Sequence, residues 1–135
     1  MFYIKSYYNT FISHSWDYKS DYNTILSWLM ASNINLHDYS IPVEKALPPM
    51  SKTALRARIT EKIRHASVVV ILAGMYAAYS DWIDYEIDEA ICMGKPILGV
   101  YPRGQERAPE KITSNADRMV HWNSDSVVKG FKQLV

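Results

Sequence analysis

The sequence predicts an α/β protein, a parallel sheet covered by helices, and three observations predict it. Strand-like and helix-like patterns alternate along the whole chain. Residues 67–73, Ser-Val-Val-Val-Ile-Leu-Ala, form the continuous β-branched run expected of a central strand buried on both faces. Tyr22, Ile25, Leu26 and Leu29 fall at i, i+3, i+4 and i+7, one face of a helix. The 135 residues read as a single domain, 1–135, with 48% hydrophobic and 21% charged residues. A chain of this size buries roughly two-thirds of its unfolded surface and holds a core without cross-links.

Each element has its own warrant. Asn9 to Ser13 reads as the first strand, with Phe11 and Ile12 inward. After the loop His14-Ser15-Trp16-Asp17 a helix runs from Asp21 to Ser32. Asn33 to Tyr39 is a second, less apolar strand suited to a sheet edge. Pro42, Pro48 and Pro49 forbid helix in the next loop. Ser51 caps a helix with Leu55, Ile59 and Ile63 on one face. The β-branched run supplies the third strand, and Gly74 to Ser80 reads as a loop. Ser80 or Asp81 then caps a helix that runs to Met93, ended by Gly94 and Pro96. Pro96 to Tyr101 is the fourth strand, and Pro102 to Asp117 a polar loop without clear pattern. Met119 to Trp122 is the fifth strand, and Ser124 caps a last helix bearing Val127, Val128 and Phe131.

With right-handed crossovers, this count points to a flavodoxin-like three-layer sandwich. Its expected sheet is five-stranded and parallel, of order 2-1-3-4-5, with helices on both faces. The ligand crevice of such a sheet opens at the carboxyl ends of strands 1 and 3, where the winding reverses.

Composition excludes several function classes. Fifteen basic residues against fourteen acidic give a net charge of +1, so the electrostatic footprint of a nucleic-acid binder is absent. The basic stretch Lys52 to Arg64 is mixed with Glu61 and reads as a solvated helix face. No run approaches the roughly 20 apolar residues of a membrane span. The start, Met1 to Thr10, lacks the apolar segment of a signal peptide. The lone Cys92 fits a reducing cytoplasm, and late in a helix it reads as a core residue rather than a nucleophile. The five glycines form no phosphate-binding loop, and the four histidines have no partner at metal-ligand spacing, so no metal site is expected.

Three clusters converge on the predicted crevice. Trp82 and Glu86 stand four apart on one helix face. A carboxylate beside aromatic walls is partly desolvated, which raises its pKa, and it suits a developing cation. An acid near a helix N-terminus is also an ordinary stabilising feature, and Asp84, Asp88 and Glu89 share that description. Ser13-His14-Ser15-Trp16 ends the first strand; its hydroxyls could bind phosphate or ribose, or simply form a turn. Asp38, ending the second strand, could bond a ribose hydroxyl.

Together these residues resemble the TIR family. Thr10-Phe11-Ile12-Ser13-His14-Ser15 resembles the first-strand motif of TIR domains, and Trp82 to Glu86 their W-x-x-x-E motif. Gly94-Lys95-Pro96-Ile97-Leu98-Gly99-Val100 resembles the strand that follows, and Leu36 to Ser40 sits where the second strand ends before the so-called BB loop. The chain looks most like the short bacterial and archaeal TIR-like branch, which includes the signal-producing subunit of Thoeris anti-phage defence. It departs from many TIR domains in having Gly99 where they have Pro.

The resemblance implies NAD as substrate, cleavage of its nicotinamide–ribose bond, and an ADP-ribose-derived product, cyclic or linear, with no other cofactor. It implies Glu86 as the catalytic residue and Phe11, Ser13, His14, Ser15, Trp16, Asp38 and Trp82 as substrate-binding residues. It further implies a cytoplasmic protein that self-associates through TIR–TIR contacts and reaches a separate effector protein through a nucleotide signal. Two rival expectations are a non-catalytic TIR scaffold and a nucleoside deoxyribosyltransferase-like enzyme.

Overall fold

The computed structural model describes residues 8–13, 19–32, 34, 36–38 and 51–135. They form an α/β fold in which a parallel sheet lies between helices. The strands are β1 (Tyr8–Ile12), β2 (Leu36–Asp38), β3 (Val68–Leu72), β4 (Ile97–Val100) and β5 (Arg118–Val120). Their order is β2-β1-β3-β4-β5, and every neighbouring pair is parallel. The helices are α1 (Lys19–Ala31), α2 (Lys52–His65), α3 (Tyr76–Cys92), the single turn α4 (Glu110–Thr113) and α5 (Ser124–Leu134).

β3 is central because its five β-branched and aliphatic side chains, Val68 to Leu72, are all buried. Strands covered on both faces can afford no polar side chain, and this one has none. Helices α1 and α5 pack together on one side, and α2 and α3 pack together on the other. Ile25 and Leu29 of α1, Ile59 and Ile63 of α2, Ile83, Ile87 and Ala90 of α3, and Val127 and Phe131 of α5 complete the core.

Helix ends follow local chemistry. Ser51 accepts a hydrogen bond from the Ala54 N–H at 3.1 Å and caps α2. After α3, Gly94 adopts φ +67°, its N–H bonds Ile91 O at 3.1 Å, and Lys95 N–H bonds Ala90 O at 2.8 Å. That paired closure needs a left-handed residue, which glycine supplies without a Cβ clash. The departure at Gly99 has a steric reason here: a Cβ there would lie 2.4 Å from Met119 Sδ and 3.3 Å from Ala116 Cβ.

Four expectations are corrected. The segment after β3 is not a loop: Ala73–Met75 forms a 3-10 turn and α3 begins at Tyr76. The expected cap region survives only as a kink at Tyr79, whose φ −134° and ψ 35° interrupt the helix. Cys92 is exposed rather than buried, because Ile83, Ile87 and Ala90 occupy the inward stripe of α3. The last helix is capped by Asn123, whose side chain accepts from Ser126 N–H at 2.8 Å, and not by Ser124. The polar loop 102–117 contains α4, anchored by the fully buried Ile112.

Candidate functional site

Glu86 lies on the inward stripe of α3, between Ile83 and Ile87, and is only 5% exposed. Helical spacing leaves it little choice, since residues three and four apart share a face. Its carboxyl meets the carboxyl end of β1, where Ser13 is 1% exposed. Ser13 is fixed there by its own N–H, which donates to Val70 O at 2.7 Å and prolongs the β1–β3 ladder.

Two polar atoms at this point are buried without a hydrogen-bond partner: Ser13 Oγ and Glu86 Oε1. Burial pushes the Glu86 carboxyl up to about 8 and is the larger influence; the Ser13 hydroxyl, which does not meet hydrogen-bond geometry, acts in the opposite direction. Desolvation dominates because a charge inside an aliphatic stripe loses its hydration with little in return. Buried, unpartnered polar groups are rare in native proteins and call for an explanation such as a reacting role. A raised carboxyl at the carboxyl end of a parallel sheet is the arrangement expected of a functional site.

The other predicted residues divide. Phe11 is 2% exposed and part of the core, so its side chain supports the floor of this region. Trp82 stands one turn before Glu86 on α3. It lines a cavity of about 410 Å³ with Lys52, Arg56, Asp81, Asp84, Tyr85 and Asp88. Asp38 ends β2 with its backbone opposite Thr10. The Asp38 side chain, His14, Ser15, Trp16 and the proline-bearing segment 39–50 lie outside the described residues.

Sequence reasoning missed the partners of the Trp82 cavity. The Arg56 guanidinium stands 6.0 Å from the Trp82 ring centroid and 5.9 Å from that of Tyr85. The Tyr85 hydroxyl bonds Thr60 Oγ1, which also donates to Glu89 Oε1 at 2.7 Å. Tyr76 donates to Asp84 Oδ1 at 2.7 Å, which raises the phenol pKa by favouring its protonated form. A second cleft, of about 380 Å³, opens beyond β3 and β4 between Gly74, Tyr76, Pro102, Gln105 and Arg107. Only alternation of basic and small residues in α2 could have hinted at the first set; nothing local signals the second. Among the described residues no group of His, Cys, Asp and Glu is placed to hold a metal.

Comparison with known proteins agrees with this architecture. Among the solved structures that share the fold are two that cover nearly the whole chain. One is a conserved protein from Enterococcus faecalis V583, with TM-score 0.68 and 14% identity over 95% of this chain and 99% of that one. The other is the Clostridium botulinum CMP N-glycosidase BcmB, with TM-score 0.60 and 14% identity over 93% of this chain and 98% of that one. At such identity the likeness speaks for the fold alone. No curated protein matches the sequence. The family profile described as Thoeris protein ThsB, TIR-like domain, matches residues 11–107, a span that runs from β1 through α3 and β4 and holds both Ser13 and Glu86. With most of the chain matched, the protein belongs to the Thoeris ThsB TIR-like domain family.

Proposed function

We propose that this protein is an NAD-processing enzyme that breaks the nicotinamide–ribose bond and makes an ADP-ribose-derived signal in anti-phage defence. The observation that carries the reading is the buried Glu86 carboxyl, with Oε1 unpartnered, at the carboxyl end of the parallel sheet. Membership of the ThsB TIR-like family supports it.

In this mechanism the bond between the ribose anomeric carbon and the nicotinamide nitrogen breaks heterolytically. The bonding pair leaves on nicotinamide, which departs neutral, and positive charge develops on the ribose. Ionised Glu86 stabilises that oxocarbenium character or attacks the anomeric carbon directly. An acceptor hydroxyl then bonds to that carbon and loses its proton: water gives ADP-ribose, and a hydroxyl of the same molecule gives a cyclic product. Because the carboxyl titrates near 8, it is largely neutral in the free protein at neutral pH. Ionised Glu86 is then favoured by a cationic substrate, as the positively charged nicotinamide ring of NAD is.

NAD is the substrate in this reading and no metal or further cofactor takes part. The chain self-associates through TIR–TIR contacts to complete its site, and its product acts on a separate effector protein. None of the helices among the described residues is long and apolar enough to cross a membrane, in keeping with action in the cytoplasm.

A second reading keeps the chemistry and changes the substrate. The fold shared with a CMP N-glycosidase favours cleavage of a nucleoside monophosphate at the base–ribose bond, which also needs a carboxylate for the oxocarbenium ion. Mass analysis of NAD and CMP reactions with wild type and Glu86→Gln separates the two. Nicotinamide release dependent on Glu86 supports the first reading, and cytosine release supports the second. Neither product, under concentrated and phage-challenged conditions alike, would leave the non-catalytic scaffold.

A further inference from the structure

We infer that the cleft between residues 73–77 and 102–109 holds the phosphate arm of a nucleotide, and that Arg107 is the side chain that grips it. The inference rests on the reading that this chain processes a nucleotide. It goes further by assigning a phosphate site, and NAD and a nucleoside monophosphate both carry that group.

The position of the cleft is one argument. Ala73 and Gly74 follow directly on β3, and Pro102 stands two residues beyond the end of β4. The cleft therefore opens at the carboxyl end of the sheet, where open α/β sheets bind their ligands. Ser13 prolongs β1 at the same end, one strand spacing, about 5 Å, from β3.

Charge is another. Among the described residues that line the cleft, Arg107 carries the only charge and none is a carboxylate. The cavity beside Trp82 sets three aspartates against Lys52 and Arg56, a balance that disfavours an anion. Arg107 is exposed and makes no hydrogen bond or ion pair among the described residues. Its loop neighbour Arg103, in contrast, is engaged by Asp21 and Trp122. A guanidinium with its donors open can bond two phosphate oxygens at once.

The loop that carries Arg107 is also held in place. Pro102 O accepts from Gln105 N–H at 3.1 Å, and Gly104 supplies a left-handed φ of +67°. Arg103 ties the loop to α1 through Asp21 at 2.8 Å and rests 5.0 Å over the Trp122 ring. Beyond Arg107, Pro109 O accepts from Ile112 N–H at 3.0 Å, and the buried Ile112 anchors α4. Arg107 thus stands on a stretch fixed on both sides, so little ordering entropy is lost on binding. The facing wall is made of small residues, Ala73, Gly74 and Ala77, which leaves room for a phosphate.

The test is calorimetric binding of ADP-ribose and CMP to the full chain, with adenosine and cytidine as phosphate-free counterparts. Arg107→Gln is expected to weaken the phosphate probes roughly ten- to hundredfold, the range of charge-assisted hydrogen bonds. Binding of the nucleosides should stay as in wild type. Ala77→Glu places a carboxylate in the facing wall and should also weaken the phosphate probes. Arg118→Gln removes the same charge from the exposed start of β5 and should not. Tighter ADP-ribose names the diphosphate source and tighter CMP the monophosphate; either one, lost with Arg107→Gln, upholds the site. A wild type that binds neither probe, an unchanged Kd in Arg107→Gln, or an equal loss in Arg118→Gln would overturn the inference. Arg107-dependent binding without release of nicotinamide or cytosine upholds the cleft and sinks the enzyme. Glu86-dependent release with KM unchanged in Arg107→Gln does the reverse.

Discussion

At position 86 a carboxyl sits among aliphatic side chains, and folding is coupled to its proton. Its pKa lies at about 8 in the folded chain against an ordinary 4.5. The folded state therefore binds more protons than the unfolded one across that window, and stability falls as pH rises through it. The slope is about 1.4 kcal/mol per pH unit for a single group of this kind. Below the ordinary value the acid is neutral in both states and the penalty vanishes; above about 8 it is constant. Glu86→Gln removes the charge, so its denaturant midpoint should exceed wild type at pH 9 and approach it at pH 5. A pH-independent difference between the two would contradict the buried carboxyl. From the sequence, Glu86 stood out only as one of several acids on its helix, and the TIR motif singled it out. Its desolvation arises from Ile83 and Ile87 around it and from β1 across the sheet, which no local pattern records. Ser13 was visible as a strand-end hydroxyl, but its lack of a partner exists only in three dimensions.

Elements were more legible than the residues that end them. The β-branched run of β3 and the apolar stripes of α1, α2 and α5 are local patterns, and the structure has them close to where they were expected. Caps are decided by one residue's backbone. Asn123 takes an extended φ −158° and ψ 159°, which aims its side chain at the Ser126 N–H, and the neighbouring serine becomes the first helical residue. Asn123→Ala should cost about 1 kcal/mol in chemical denaturation, and Ser124→Ala a small fraction of that. Equal losses would restore Ser124 as the cap. Gly130 reports the packing of α5 on the sheet, since a Cβ there would lie 2.6 Å from Val120 Cγ1 and 3.0 Å from Leu98 Cδ1. Overpacking of about 1–3 kcal/mol should outweigh the ~1 kcal/mol of helix propensity gained. Gly130→Ala is thus expected to lower the thermal midpoint; a raised midpoint would mean that α5 shifts freely. Helix α4 was missed because its one turn buries a single residue, Ile112, too few positions for a period to show.

At the scale of the molecule, the α/β class was legible because each strand is followed by a helical stretch, and a parallel sheet demands such crossovers. Long-range clamps were not legible. Arg103 reaches Asp21 at 2.8 Å and stands 5.0 Å over the Trp122 ring, which packs edge-on against Trp28 at 5.3 Å. That cluster ties the end of β4 to α1 and to the start of α5, across more than eighty residues of sequence. The cavity lined by Trp82 belongs to this scale as well. It is built with α2, whose Arg56 guanidinium stands 6.0 Å from the indole centroid. Among the described residues the fold thus presents an enclosed acid at the carboxyl end of its sheet and an aromatic–cationic groove on its flank, and the proposed chemistry uses the first.

The measurement that tests this account most directly is NAD consumption with product mass, comparing wild type and Glu86→Gln, concentrated and in phage-challenged cells. The account predicts loss of NAD, release of nicotinamide and a new ADP-ribose-derived nucleotide in wild type, with all three absent in Glu86→Gln. An NAD pool unchanged by wild type in both settings, or lost equally with Glu86→Gln, would contradict it.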